Sequence, residues 1–395
     1  MNRSKSYYCV CLFTGCLSLL WKIEFIAGFS LPKDGISRIG VLTSGGDCPG
    51  INSCIRGIVK ASSVRDIEVW GLPRGLPGLL YEIPNAFPLD ESYSSTNMLK
   101  KGGSRLGGFV SSDFKEFDLM KIDQRASKLL SALENLGIDG IIATGGDTSL
   151  NLIGTLLQHT GREIPFVGIP KTIDNDIPEV TYSIGFQTAV STASSAIASI
   201  RDTAESHRRI IVVECMGRRS GYLTLHAGLA GGADTILIPE FSIDRDVLLD
   251  HVSSIYKENE CAIIAVSESI TLPLLNQVST YTTADGSSRL GGSAKEVAKF
   301  LSQALSVDAR HVVLGHLQRG GSPNSYDQVL STVLGTKAVS ALCDGITNAF
   351  ITLNDNQIEI KPIDKVRDVP SKSLQSDSPE VQAALSMGIY IGEVK

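Results

Sequence analysis

Several short stretches of this sequence hold residue types suited to moving a phosphoryl group. IIATGGDTSL (141–150) ends an apolar run in Gly145-Gly146-Asp147, followed by Thr148 and Ser149, and Gly45-Gly46-Asp47 repeats the corner earlier in the chain. Glycine lets the backbone approach an anion closely, and a helix mouth offers free N–H groups and a positive dipole end. A carboxylate in the same corner disfavours bare phosphate but suits Mg2+ carried by one. One such corner is a common tight turn; two, both at strand ends, favour phosphate chemistry. Thr172-Ile173-Asp174-Asn175-Asp176 follows a further apolar run. Transfer to a hydroxyl needs positioning, a metal and a base. Asp174 reads as the base and Asp176 as an electrostatic helper, the bland alternative being a turn-forming Asp cluster. Arg209, Arg218, Arg310 and Arg319 fall near expected strand ends or glycine turns, and Arg forks hold phosphate oxygens at two points. His316 reads equally as a core or a substrate-binding residue.

Such turns act together only if a scaffold lines them up. From Arg38 onward the pattern alternates. Short apolar runs at 39–43, 138–144, 164–169, 209–214, 235–239, 262–266 and 311–314 read as strands, and 51–61, 149–159 and 191–202 read as helices. Near-continuous apolar strands separated by helices mean parallel sheets covered on both faces. The expected fold class is α/β, with two lobes, each a mostly parallel sheet flanked by helices, and the active site between them. Ligands in such sheets sit at the carboxyl ends of strands, where these Gly- and Asp-rich corners fall. The most loop-like internal stretch is 271–293.

With 395 residues, 43% hydrophobic and 20% charged, the chain can bury two lobes' worth of core. A net charge of −6 without a basic run argues against nucleic acid as a partner. The cysteines at 9, 11, 16, 48, 54, 215, 261 and 343 form no CxxC pair, so reduced, mostly buried thiols are expected rather than a zinc site or disulfide framework. Residues 1–37 differ from the rest. Arg3 and Lys5 precede an apolar run, and Phe13-Thr14-Gly15-Cys16 resembles a lipoprotein cleavage box. The run is short for a spanning helix, and Lys22 and Glu24 close it. We expect a non-catalytic extension, no membrane partner, and a cytoplasmic protein.

GVLTSGGDCPGINSCIRG, ATGGDTS, PKTIDNDI, IGFQTA, VVECMGRRSGYLTLHAGLAGGAD and VLGHLQRGGSP closely resemble the 6-phosphofructokinase family, in the family's order, from about residue 38 almost to the end. RLGGSAKEVAKF and ALSMGIYIGE are similar to the subgroup whose members use either ATP or pyrophosphate. The resemblance implies phosphorylation of fructose 6-phosphate at its 1-hydroxyl with Mg2+, and a catalytic unit over 38–395. A donor-binding lobe would span about 38–185 plus 318–365, and a sugar-phosphate lobe about 186–317 plus the C-terminal segment. Gly45, Gly146, Asp147, Thr148 and Ser149 match donor-phosphate positions, with Asp147 the Mg2+ carboxylate. Asp174 matches the base, supported by Asp176 and Arg218. Thr172, Ile173, Asp174, Met216, Gly217, Arg218, Glu268, His316, Leu317, Gln318 and Arg319 match sugar-binding positions. Arg209 and Arg310 match arginines supplied across a subunit boundary, so a homodimer or homotetramer with shared sites is implied.

The sequence departs from the family's pattern at the donor. ATP users usually carry Gly after the GGD aspartate and Gly before TIDND, and pyrophosphate users Asp and Lys; here the pair is Thr148 and Lys171. Thr lacks the charge that would repel a nucleotide's α-phosphate, and Lys171 adds a cation for a terminal phosphate of either donor. ATP is the expected donor, with a reversible pyrophosphate enzyme as the alternative and a weakly active sensor subunit the least supported reading. Leu152 stands where ATP users often have Gly beside the adenine, and reads equally as a core residue. The usual donor-loop arginine is missing near Val110 to Phe114, where Arg105 or Lys115 are candidate replacements. Lys257-Glu258-Asn259-Glu260 replaces a lysine-rich effector run, so weak control by anionic effectors is expected.

Overall fold

The run RIGVLT becomes β1 (Arg38–Thr43), buried from Ile39 onward, as a strand covered by helices on both faces must be. The computed structural model describes residues 35–80, 85–108, 119–271, 280–282, 288–366 and 369–393. β1 sits in a seven-stranded sheet with β2 (Glu68–Leu72), β3 (Phe87–Pro88), β4 (Gly140–Gly145), β5 (Phe166–Pro170), β12 (Ala349–Asn354) and β13 (Gln357–Pro362), in the order β13-β12-β5-β4-β1-β2-β3. Only the edges β3 and β13 run antiparallel. A four-stranded parallel sheet orders β11 (Ala309–Val313), β6 (Ile210–Cys215), β8 (Ala262–Ser267) and β7 (Thr235–Leu237). A small antiparallel ribbon pairs β9 (Thr280–Thr282) with β10 (Ser288–Leu290). The fold is thus two mostly parallel sheets, each flanked by helices, as the alternation of apolar runs and helices implies.

The principal helices are α1 (Ile51–Ser63), α2 (Ile122–Leu136), α3 (Asp147–His159), α4 (Phe186–His207), α5 (Tyr222–Gly231), α6 (Arg245–Asn259), α7 (Ser293–Leu305), α8 (Ser325–Cys343) and α9 (Pro379–Ser386). Parallel register brings the turns after β1, β4 and β5 side by side. Ser44 N–H donates to Thr144 O (2.8 Å) and Lys171 N–H to Gly145 O (2.9 Å). The two Gly-Gly-Asp corners are not the same unit. α3 begins at Asp147 itself, so that corner is a helix mouth. α1 begins only at Ile51 behind a Gly50 cap with φ 106°, so Gly45-Gly46-Asp47 belongs to a loop.

α4 carries the chain from the larger lobe into the smaller, and it is pinned at its start. Asp327 of α8, fully buried, accepts from Gly185 N–H (2.9 Å), Thr188 N–H (2.7 Å) and the Thr188 hydroxyl. A carboxylate at a helix N-terminus satisfies orphan amides and meets the positive dipole end. Gly185 has φ 96°, and a Cβ there would lie 2.5 Å from Cys48 Cβ, so no side chain fits. The C-terminal segment ties the lobes a second time. Ile363 and Val366 join the core of the larger sheet, while Leu374, Val381, Ala384, Ile389 and Ile391 join that of the smaller.

Differences from the sequence expectation have local causes. The hairpin β12–β13 turns at Asp355 and Asn356, with φ 47° and 60°, both tolerated in the left-handed region and matching its right-handed strand twist. β2 begins on exposed Glu68 and is short, so it carries little apolar signal. The helix expected at 191–202 runs from Phe186 to His207. Cys48, Cys54, Cys215, Cys261 and Cys343 are free and buried, as expected; Cys9, Cys11 and Cys16 lie outside the described residues. Among those residues no helix is long and apolar enough to cross a membrane. Asp327→Ala strands three buried donors and is expected to cost ~3 kcal/mol or more, read as a Tm several degrees lower; an unchanged Tm would show that α4 needs no such pin.

Candidate active site

The turns after β1 and β4 close around one buried lysine. Gly45 has φ 79°, and a Cβ there would sit 3.4 Å from Ser149 Oγ and 3.5 Å from Lys171 Nζ. Lys171 is 3% exposed. Its Nζ donates to Ser44 O (2.8 Å) and to Gly46 O. Burial holds its pKa below the usual lysine value, with the neighbouring Arg319 pushing the same way and Asp47 and Asp174 opposing. In the unliganded chain this ammonium therefore shapes the first corner from beneath, whereas the sequence suggested a cation held out for a terminal phosphate. Around the second corner the surface is open, since a Cβ on Gly146 would meet nothing within 4 Å. Thr148 is exposed, and its hydroxyl donates to Asp147 Oδ1 (3.3 Å). Leu152 packs half-buried against the larger lobe's core, the core-helix option of its two readings. The guanidinium of Arg105 stacks 4.9 Å over the Tyr93 ring; Val110, Phe114 and Lys115 lie outside the described residues.

The turn after β5 is stapled by its own side chains. Asn175 adopts φ 53°, a conformation Asn tolerates better than most residues. Its Nδ2 donates to Thr181 O (3.1 Å), and its Oδ1 accepts from Ser183 N–H (3.1 Å). The flanking carboxyls are thereby held in place. Asp174 is 7% exposed, and its Oδ1 is buried with no hydrogen-bond partner among the described residues. Burial pushes its pKa up while Arg319 and Arg218 pull it back. Asp176 is raised to about 6, first by burial and then by the charges of Asp174 and Asp147. Ile173 is fully buried in the core, and Thr172 Oγ1 accepts from Asp174 N–H (3.1 Å). These two residues set the turn; the Ile173 side chain faces the core, while that of Thr172 is half-buried.

Across from this turn the smaller sheet opens a cavity of about 520 Å³, walled in part by Met216, Arg218, Glu268, His316 and Arg319. Glu268 accepts from Gly217 N–H (3.2 Å) and Arg218 N–H (2.8 Å), which fixes two backbone positions with φ 148° and 57°. Its own pKa is raised by burial. Arg319 reaches over to the first corner, donating to Asp47 O (3.1 Å), and a Cβ on Gly46 would lie 2.6 Å from its Nη1. Ser220 Oγ donates to Asp174 O (3.1 Å), which ties the loop that carries Arg218 to the Asp174–Asp176 turn.

Four predicted residues fall elsewhere. Arg209 and Arg310 pair with Asp308, each at 2.8 Å, at the amino ends of β6 and β11. At ~3.3 Å per residue, Arg209 lies roughly 17 Å from Glu214 and Arg310 roughly 10 Å from Val313, the cavity residues toward the carboxyl ends of the two strands. Leu317 is 62% exposed, and Gln318 is fully buried, its Nε2 turned onto Gly315 O (3.1 Å); neither lines the cavity. Among the wall residues that the sequence reading did not name, Glu214 carries the charge. Glu214, 3% exposed, accepts from Gly292 N–H and Ala294 N–H (2.9 Å) and so seats the glycine turn before α7. Its signal was an acid ending the otherwise apolar run RIIVVE. Among the described residues no group of three or more His, Cys, Asp or Glu side chains is arranged to hold a metal.

A protein-family model described as Phosphofructokinase matches residues 38–342. The chain belongs to the phosphofructokinase family. It is 39% identical over 331 residues to a pyrophosphate--fructose 6-phosphate 1-phosphotransferase of Dictyoglomus thermophilum, covering 83% of this chain and 92% of that protein. It is 36% identical over 360 residues to ATP-dependent 6-phosphofructokinase 1 of Nostoc sp., covering 90% and 99%. The structure of phosphofructokinase from Saccharomyces cerevisiae superposes with a TM-score of 0.72 at 28% identity, covering 84% of this chain and 45% of that one. Donor class is not settled by such relatives, since both classes match at comparable identity.

Burying Asp176 beside two other carboxylates costs the fold stability. The rise of the Asp176 pKa from 3.8 to about 6 corresponds to ~3 kcal/mol against the folded state. That penalty is full above about pH 6 and fades as pH falls towards 3.8, where folded and unfolded chains both bind the proton. Asp176→Asn is expected to raise the Tm by several degrees at neutral pH and by nothing near pH 4; equal shifts at both would locate the effect outside the titration.

Proposed function

We propose that this phosphofructokinase phosphorylates fructose 6-phosphate at its 1-hydroxyl to give fructose 1,6-bisphosphate, in the cytoplasm, with ATP as the favoured donor. The observation that carries the acceptor reading is the buried, unpartnered Asp174 Oδ1, whose charge couples to Arg319 and Arg218 of the cavity wall that His316 shares. In that reading the cavity arginines hold the sugar phosphate and Glu268 fixes the backbone beneath it. The Asp174 carboxylate takes the 1-hydroxyl proton as the new O–P bond forms and the donor's terminal bridging P–O bond breaks. A base kept dry, with its pKa raised towards the working pH, transfers a proton more effectively than an exposed carboxylate would. Asp176 adds negative potential that keeps Asp174 basic, and Arg218 offsets charge developing on the transferred group.

Mg2+ suits the donor side. It is usually bound through one or two carboxylates plus the substrate's own phosphates, not by a protein cage. Asp147, opening α3 beside the open Gly146, is a single carboxylate of that kind, and it would hold a Mg2+ whose charge draws electron density from the phosphates. Gly45, Gly146 and Ser149 provide the surrounding backbone and hydroxyl.

ATP is favoured because the exposed position after Asp147 carries an uncharged Thr, leaving room and potential for an α-phosphate. The pyrophosphate reading rests on Lys171, a lysine where many pyrophosphate users carry one. Its ammonium is committed here to the carbonyls of Ser44 and Gly46, which weakens that reading. Arg209 and Arg310 stand at the amino ends of their strands and line no part of their own cavity, which supports a homodimer or homotetramer in which each subunit completes its neighbour's sugar-phosphate site. On that reading Arg310→Ala is expected to raise KM for fructose 6-phosphate about tenfold with sedimentation unchanged; an unaltered KM would remove Arg310 from the site.

The deciding assay supplies purified protein with Mg2+, fructose 6-phosphate, and ATP or pyrophosphate in turn. Faster turnover with ATP is expected. Thr148→Asp is expected to shift kcat/KM towards pyrophosphate by about tenfold or more, by adding charge and bulk at the α-phosphate position; no transfer from either donor would overturn the proposed activity.

A further inference from the structure

The segment that ties the two lobes near the C-terminus crosses directly behind the Asp174–Asp176 turn. It leaves the larger lobe's core at Val366 and enters the smaller lobe's core at Leu374. Between them lies Lys372, half-buried. Its backbone N–H donates to Asp176 O (2.8 Å). Its Nζ donates to Val180 O (2.8 Å) and Thr181 O (3.1 Å), and its third side lies 4.5 Å from the centre of the Tyr222 ring. Thr181 O is also the acceptor for Asn175 Nδ2. One carbonyl is therefore shared by Lys372 and by the residue that stands between the two aspartates.

We propose that Lys372 is a positioning residue for phosphoryl transfer, gripping the Asp176, Val180 and Thr181 carbonyls so that the Asp174 and Asp176 carboxyls hold their angle to the acceptor hydroxyl. The proposal rests on the phosphotransfer reading given above. It assigns the C-terminal segment a part in the chemistry, although none of the segment's described residues lines the cavity. A lysine suits the place because three N–H donors and one charge can serve two carbonyls and a ring face at once. A methionine of similar length would fill the space and leave both carbonyls with one partner fewer.

The grip is sensitive to alkali. Burial lowers the Lys372 pKa to about 8, against the pull of Asp176 and Glu380. The other titratable groups around it are Tyr222 and His226 of α5 and Tyr182 of the turn itself. Burial raises Tyr222 to about 12 and also raises Tyr182. His226 is lowered by burial, with Glu380 opposing and Lys372 adding to the effect. Near pH 8 Lys372 is thus the group in this cluster expected to change charge. Loss of its proton removes the cation from the Tyr222 face and weakens the bonds to Val180 O and Thr181 O. The geometry of the turn then loosens as pH rises.

The test compares wild type, Lys372→Met and Lys372→Arg in the full chain. Three things are measured: kcat and KM across about pH 6 to 9.5, Tm, and hydrogen–deuterium exchange over residues 174–183. Wild-type kcat is expected to fall on the alkaline side near pH 8. Lys372→Met should lower kcat about tenfold with KM for fructose 6-phosphate little changed, a size typical of a misplaced catalytic group, and its alkaline limb should vanish. Lys372→Arg should restore most of kcat and move the limb to higher pH. Faster exchange at the 174–183 amides is expected in Lys372→Met even where no turnover is measured. A Lys372→Met protein with lower Tm but unchanged kcat and an unchanged alkaline limb would overturn the proposal. Should wild type transfer phosphate from neither ATP nor pyrophosphate, the functional reading fails by itself, and unchanged exchange in Lys372→Met would then overturn the grip independently.

Discussion

One buried carboxylate sets the relation between the two lobes. Asp327 is fully buried, and burial alone would drive it towards the neutral acid; the donors at Gly185 and Thr188 pull it back. What favours its charged form against that burial is the start of α4, which has free amides to give and a positive dipole end to face. The same residues form the downstream end of the Asp174–Asp176 turn. Ser183 bonds back to Asn175 and Thr172, and two residues later the chain meets Asp327. Helix placement and the placement of the acids are therefore one problem with one solution. The close fit of Gly185 on Cys48 and of Gly50 on Ile184 belongs to it, because side chains at either position would push α4 off its cap.

The second constraint is electrostatic. Asp147, Asp174 and Asp176 lie close enough for each to raise the pKa of Asp176, an arrangement that fold stability alone would not favour. Two arginines moderate it from the other side. Arg218 is presented from a left-handed backbone position that Glu268 holds, and Arg319 bonds across to Asp47. The carboxylates of the turns are thus offset by arginines that reach them from across the cleft, with Lys171 adding a buried cation from beneath. Fixed positive charge facing the acids is the kind of preorganised field that stabilises a transferring phosphoryl group.

How much of this was legible depended on whether a residue's role was local. β1, β4, β5, β6 and β8 were visible as apolar runs, because a strand buried on both faces can be little else. The corner at 145–147 and the turn at 172–176 were visible because glycine, asparagine and aspartate are needed where the chain reverses beside a ligand. The corner at 45–47 was recognised and its helix read from residue 51, where α1 does begin behind Gly50; what the sequence hid is that this corner is a loop and not a second helix mouth. Glu214 looked like a strand end and proved to be the seat of a turn some 80 residues later. Asp327 and Lys372 carried no signal at all. Their partners lie far away in sequence, and a lone acid in a helix or a lone lysine in a polar stretch looks like solvated surface until the fold brings the partners in. Leu317 and Gln318 show the reverse: the motif named both for the site, while the 3-10 turn exposes one and buries the other.

Lys171 shows why a motif residue must be placed before its chemistry is assigned. In sequence it stands before TIDND as a cation available to any terminal phosphate. In the fold it is almost without solvent contact and bridges Ser44 O and Gly46 O, so its charge acts through the shape of the first corner. Freeing it would leave two carbonyls short of a donor, at a cost of the same order as the phosphate contact it could gain. Lysine at this position therefore does not by itself mark a pyrophosphate site; it holds a glycine loop against a catalytic turn, a task useful with either donor. The burden of discrimination falls on the position where side chains differ in the open, the first turn of α3. There Thr148 adds neither the charge of an aspartate nor the freedom of a glycine. Its hydroxyl leans on Asp147 Oδ1, leaving the space over Gly146 clear. That clearance, more than the lysine behind it, is the physical reason to expect a nucleotide.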